Sequence, residues 1–258
     1  MEKRLRIRQN LFVIQQLARR DKCRENASTN LGQVWQVLNP FINMLVLAVL
    51  FSTIFKNDNF VNYQLYICTG TILYEFFLQG TNGCMSALLL NKQFLTKTTL
   101  KKNIFVLEKL YVALINLFFS VCIYMGMMVY YRIPFRFVNL LFVIDILIYS
   151  LFILGVGKIL AVVYVSFADI HYLYKIVTLF IFYGTAIFYK PERLSPALQV
   201  VMSWNPIYVA IAIGRQLLID GIFPSTHLWM KIAFYAFVFY SIGSFVFEKG
   251  TDNIVAKL

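Results

Sequence analysis

Few residues of this chain are equipped for covalent chemistry, and none stands in a pattern that would perform it. A phosphate-binding loop needs G-x-x-x-x-G-K followed by Ser or Thr. Gly155-Val156-Gly157-Lys158 lacks that frame and lies inside an apolar run. No G-x-S-x-G elbow and no H-E-x-x-H pair occurs. His171 and His227, the two histidines, are far apart. Cys23, Cys68, Cys84 and Cys122 form no C-x-x-C pair. Neither a metal centre nor a disulfide framework is therefore expected. The chain is expected to have no catalytic residue, no metal ligand and no cofactor of its own.

What remains is binding chemistry. Glu75 and Asp145 lie within apolar runs, where a charge is costly unless it faces protein or water. Glu75 reads equally as a polar contact on a transport path or as a helix-packing hydrogen bond. Asp145 reads as the latter. The aromatics cluster at the ends of apolar runs, as in Tyr130–Tyr131 and Phe188–Tyr189. Interfacial belts explain that placement. A second reading is that some aromatics line a path for sugars, since a Tyr ring offers flat apolar area with a polar tip. Tyr74 and Tyr189 join Glu75 as candidates for such a path. Arg19, Arg20 and Arg24 close a basic N-terminal stretch, and Lys92, Lys97, Lys101 and Lys102 make a lysine-rich one.

The elements that must carry these groups are set by composition. Of 258 residues, 60% are hydrophobic and 14% charged, with a mean hydropathy of +0.69. A soluble domain of this length has too little interior for that apolar surface, whereas a bilayer supplies it. The expected fold class is an all-α polytopic membrane protein. Six transmembrane helices are expected, at about 34–55, 63–90, 104–131, 138–167, 176–189 and 228–247. Residues 5–20 read as an amphipathic helix, with Ile7, Leu11, Ile14 and Ala18 on one face, lying in the membrane interface. The stretch Met1–Arg24 alternates charge with apolar groups, unlike a secretory signal.

Residues 190–227 are too apolar for an ordinary loop, and Pro191, Pro196, Pro206 and Pro224 break them. Such a segment is expected to form re-entrant helices against protein. Arg215 and Asn205–Pro206 argue against a seventh span there. The net charge of +12 is packed into the N-terminus and short connecting segments. That placement fits the positive-inside rule rather than nucleic-acid binding, and it puts both termini in the cytoplasm.

Three stretches carry a family resemblance. Residues 24–40, from Arg24 through Leu31-Gly32 and Trp35 to Asn39-Pro40, resemble the R-x-x-G-S-x-L-G-x-x-W-x-x-x-x-P start of the first span in ABC-2 type polysaccharide permeases; Ser28-Thr29 stand where Gly-Ser is usual. The run from Trp204-Asn205-Pro206 to Arg215, with Gly221 and Pro224 after it, is similar to the family's N-P-x(8)-R segment. Thr185-Ala186-Ile187-Phe188-Tyr189 ahead of Pro191 resembles its S-P-I-x-Y. Two positions depart from the pattern. Lys101-Lys102 stand near a usual Pro, and Ala168 takes the place of an Arg before Asp169.

The resemblance implies a cytoplasmic interface segment, 1–33, followed by a transmembrane domain, 34–258. Two copies would form a conduit in the cytoplasmic (inner) membrane. Two copies of a separate ABC ATPase subunit would bind ATP and Mg below them. The cargo would be an undecaprenyl-pyrophosphate-linked polysaccharide such as O-antigen or teichoic acid. Segment 91–103, with its four lysines, would couple to the ATPase, though a solvated positive loop explains its charge equally well. Segment 190–227 would form an outer gate. Arg19, Arg20 and Arg24 would contact the carrier's pyrophosphate or, as readily, anionic headgroups. Two other readings are an ABC-2 permease for a drug or small lipid, and a membrane enzyme acting on a polyprenyl carrier; the latter needs an acid or metal motif that the sequence does not show.

Overall fold

A computed structural model describes residues 2–25, 63–97 and 100–254, with a few positions between 42 and 50. The first expected span as a whole, together with Gly32, Trp35 and Pro40, lies outside the described residues. Among the described residues, all regular secondary structure is helical. Helix α1 is Glu2–Glu25, α2 Tyr63–Leu90, α3 Lys92–Lys97 and α4 Asn103–Tyr130. A 3-10 turn, Phe137–Leu141, leads into α5, Phe142–Ser166. Then come α6, Ile170–Tyr183, α7, Pro196–Ser203, and α8, Pro206–Arg215. A π-helical turn, Gln216–Asp220, precedes α9, Thr226–Ile254.

Among the described residues, three helices are long and apolar enough to cross a membrane: 103–130, 137–166 and 226–250. The pair α7 and α8 meets that measure jointly but bends by 92° at its break, which gives up to four. Helix α2 is 28 residues long, but Gln64, Glu75, Gln79 and Asn82 dilute it. Helix α6 is apolar but only 14 residues long.

Two bounds differ from expectation. The fifth span was expected to begin at Ile176, after a polar break at Asp169, His171 and Lys175. The helix instead starts at Ile170. His171 and Lys175 are four residues apart, so they share one helix face, and Lys175 is exposed there. The same helix ends at Tyr183 rather than Tyr189, because 184–190 fold into a turn with 185–188 buried and Ala186 at φ 49°. In α1 the buried stripe is Ile14, Leu17 and Ala18, while Leu11 is 53% exposed. That stripe faces α4.

Helix α2 packs on α4 and α5, and α5 runs against α9 over much of its length. Gly155 and Gly243 permit the closest part of that last contact. A Cβ on either would run into the other helix's backbone, at Phe239 and at Gly155 respectively. Aromatic contacts fill the space between α2 and α5: Phe77 stacks on Phe152 at 6.2 Å, and Phe76 meets Tyr149 edge-on at 6.0 Å.

Candidate functional site

Asn205 opens α8 in the usual way for its residue type. Its side-chain oxygen accepts a hydrogen bond from Ile207 N at 3.0 Å, and Pro206 takes the first helical position, where no N–H is needed. The Asn205 amide also donates to Thr185 Oγ1 at 3.1 Å, which fixes the break between α7 and α8 to the turn after α6. Ten residues on, Arg215 ends the helix with its side chain 6% exposed.

The Arg215 guanidinium is held by backbone carbonyls. Nη1 donates to Ala186 O and Nη2 to Ile187 O, both at 3.0 Å. Nε and Nη2 donate to Tyr66 O at 3.3 Å. The guanidinium carbon lies 3.4 Å from the centroid of the Tyr66 ring, close enough for cation–π attraction. Gly70 makes room for it, since a Cβ there would stand 2.9 Å from Nη2. Tyr63 Oη donates to Phe188 O at 2.6 Å, and Tyr66 Oη to Tyr189 O at 3.1 Å. Two of the three sequence motifs thus meet at the start of α2. The arrangement holds three segments together and presents no nucleophile or acid.

The opposite end of the bundle carries α1, α3 and the start of α4. Arg20 donates to Asp21 at 2.7 Å and to Asn91 Oδ1 at 2.9 Å, and its guanidinium lies 5.2 Å from the Phe94 ring centroid. Asp21 also pairs with Lys109 of α4. Burial pushes the Asp21 carboxyl up, but the hydrogen bonds and charges of Lys109 and Arg20 outweigh it and hold the group below its ordinary value. Lys109 lies 3.6 Å from Glu108, which is fully buried. Arg20 is therefore engaged within the chain, whereas Arg19 is exposed. The side chain of Arg24 lies outside the described residues.

The four lysines of 91–103 separate into two places. Lys92 and Lys97 are exposed on α3. Lys101 and Lys102 line a cleft of 390 Å³ with Leu100, Asn103, Lys158, Ser244, Phe247 and Glu248. Lys158 is 3% exposed. It hydrogen-bonds Ser244 Oγ at 3.0 Å and lies 4.4 Å from the Tyr240 ring centroid.

The path candidates are not brought to one place. Tyr74 Oη donates to Thr178 O at 2.6 Å, and its ring meets Phe182 at 4.9 Å, so it joins α2 to α6. Tyr189 donates to Tyr183 O at 2.7 Å and accepts from Tyr66. Glu75 is half-buried on α2, nine residues beyond Tyr66 and so roughly 13 Å along the helix. Asp145 is fully buried, and neither its oxygens nor the Tyr149 hydroxyl has a hydrogen-bond partner.

Sequence reasoning passed over Tyr66, Asp21, Asn91 and Lys158. For Lys158 a signal existed: a lone lysine inside an apolar span calls for a partner by default. For Asn91 and Asp21 there was none, because their partners are 71 and 88 residues away.

With these two ends described, comparison with known proteins decides the family. The family model for the ABC-2 type transporter matches residues 13–219. The chain belongs to the ABC-2 type transporter family. It is a multi-pass membrane protein and a transporter permease by that membership. An O-antigen export system permease protein RfbA of Myxococcus xanthus is 24% identical over 232 residues, 88% of each chain. One of the same name from Klebsiella pneumoniae is 18% identical over 224 residues, 86% of this chain and 85% of that one. A second from Klebsiella pneumoniae is 21% identical over 199 residues, 75% of each. The ABC-2 match takes in the α1–α3–α4 end and the Arg215 clamp together.

Proposed function

We propose that the chain is the membrane subunit of an ATP-driven exporter for an undecaprenyl-pyrophosphate-linked polysaccharide, O-antigen or a related surface glycan. It works as a homodimer in the cytoplasmic membrane, with two copies of a separate ATPase subunit that bind ATP and Mg. Each copy spans the membrane six times with both termini cytoplasmic. Helix α1 lies on the cytoplasmic face, where Arg19 is exposed and, with Arg24, is a candidate contact for carrier or lipid phosphates. Exposed Lys92 and Lys97 on α3 meet the ATPase. Residues 190–227, anchored by Arg215, form the outer gate, and Glu75 and Tyr189 contribute polar surface to the path.

The observation that carries this reading is the near end-to-end similarity to three O-antigen export permeases, over 75–88% of this chain and of each relative. Two features support it: a helix pair bent by 92° at one end of the bundle and a short basic helix tied to α1 at the other. A glycan chain needs a wet route, because hydroxyls left unpaired in hydrocarbon are expensive. A conduit between two copies supplies one.

Deletion of the gene tests this. Surface glycan should be lost, and lipid-linked glycan should accumulate inside the cell. Normal surface glycan in the deletion strain would refute export. Loss of a drug-resistance phenotype with glycan unchanged would favour a small-molecule permease.

A further inference from the structure

We infer that the cleft between α4, α5 and α9 is a binding site for the phosphate headgroup of an anionic membrane lipid, held by Lys158 at its base. Lys158 is almost wholly buried. Its ammonium has three N–H donors. One reaches Ser244 Oγ, and the Tyr240 ring faces another side of the group. Both partners are neutral, and among the described residues no carboxylate pairs with it. A buried ammonium without a counter-charge is unfavourable, and an anion seated in the cleft would neutralise it.

The rest of the lining suits that anion. Lys101 and Lys102 stand at the mouth, and Glu248 is the one carboxylate among the lining residues, so the cleft is net positive. Lys158 lies eight residues before the end of α5 at Ser166, roughly 12 Å along the helix. That places it toward the same end of the bundle as α1 and α3, about two helical turns inside the end of α5. The surroundings favour a lipid over a free ion. From the cleft toward the opposite end, α9 presents Phe245, Ile242, Phe237 and Phe234 outward. Acyl chains attached to a seated headgroup would have that apolar face to lie along.

The test uses the full-length chain with whatever ATPase accompanies it. The sample is exchanged into micelles containing equal phosphatidylglycerol and phosphatidylcholine, and bound lipid is counted by native mass spectrometry. One phosphatidylglycerol should be retained per chain in preference to phosphatidylcholine. Lys158→Met should lower that retention about tenfold, the scale of one lost charge-assisted hydrogen bond, and Lys158→Arg should keep it. If Lys158→Met does not fold, the Lys101→Gln/Lys102→Gln variant serves instead and should lower retention several-fold. Equal retention by the wild type and the neutral variants overturns the inference, as does equal retention of the two lipids. Stabilisation by inorganic phosphate that depends on Lys158, with no lipid retained, also overturns it, because the ligand would then be a free anion.

Discussion

At the scale of single residues, Arg215 decides how the 190–227 segment is held. Its fork spans three carbonyls that belong to two separate segments, 186–187 and the first turns of α2. Lysine carries the same charge on a point donor and cannot span them. Arg215→Lys should therefore leave buried carbonyls unpaired and cost about 2 kcal/mol, seen as a lower thermal midpoint in detergent. Gly70→Val should do the same from the other side, since its side chain would occupy the space of Nη2. Unchanged midpoints in both variants would mean that the clamp contributes nothing. The importance of Arg215 was legible in the sequence as an arginine out of place in an apolar run. Its partners were not legible, because backbone carbonyls carry no sequence signature.

At the scale of elements, the link between α1 and α4 rests on Asp21 and Lys109, with Arg20 reaching on to Asn91. The Asp21 carboxyl is lowered in the folded chain. A depressed carboxylate contributes its stability above the unfolded pKa, near 3.9, and loses it as pH falls through the folded value. The Asp21 contribution to the docking of α1 should thus be lost only as pH falls below about 4. In a double-mutant cycle of Asp21→Asn with Lys109→Gln, the coupling energy should be about 1 kcal/mol. Hydrogen–deuterium exchange over residues 14–22 measures both effects. Additive variants, or docking that weakens near pH 6, would place the link elsewhere.

The sequence made the end of α2 at Leu90 legible, because a polar, lysine-rich stretch follows it. It misplaced α6 by several residues. There the polar groups sit on an exposed helix face, and the apolar tail 184–190 is a turn held by tertiary contacts. Periodicity reports which residues are apolar, but not which tertiary partner will bend them.

At the scale of the whole molecule, α6 leaves most of its apolar surface uncovered. It buries Tyr174 and Thr178, which face α2, and leaves Leu173, Ile176, Val177 and Phe180 exposed. Only 14 residues long, it reaches roughly 21 Å, short of the ~30 Å hydrocarbon core. A short helix surrounded by lipid must tilt or thin the bilayer. One packed against a second copy has protein on that side instead. In a two-copy conduit the α6 helices should therefore lie near each other. With Cys23 and Cys122, the two exposed cysteines, replaced by Ser, Phe180→Cys should form an oxidant-dependent dimer in native membranes. A cysteine at Phe118, comparably exposed but on α4, should not. Dimer formation at position 118 and none at 180 would put the twin copy on the other side of the bundle.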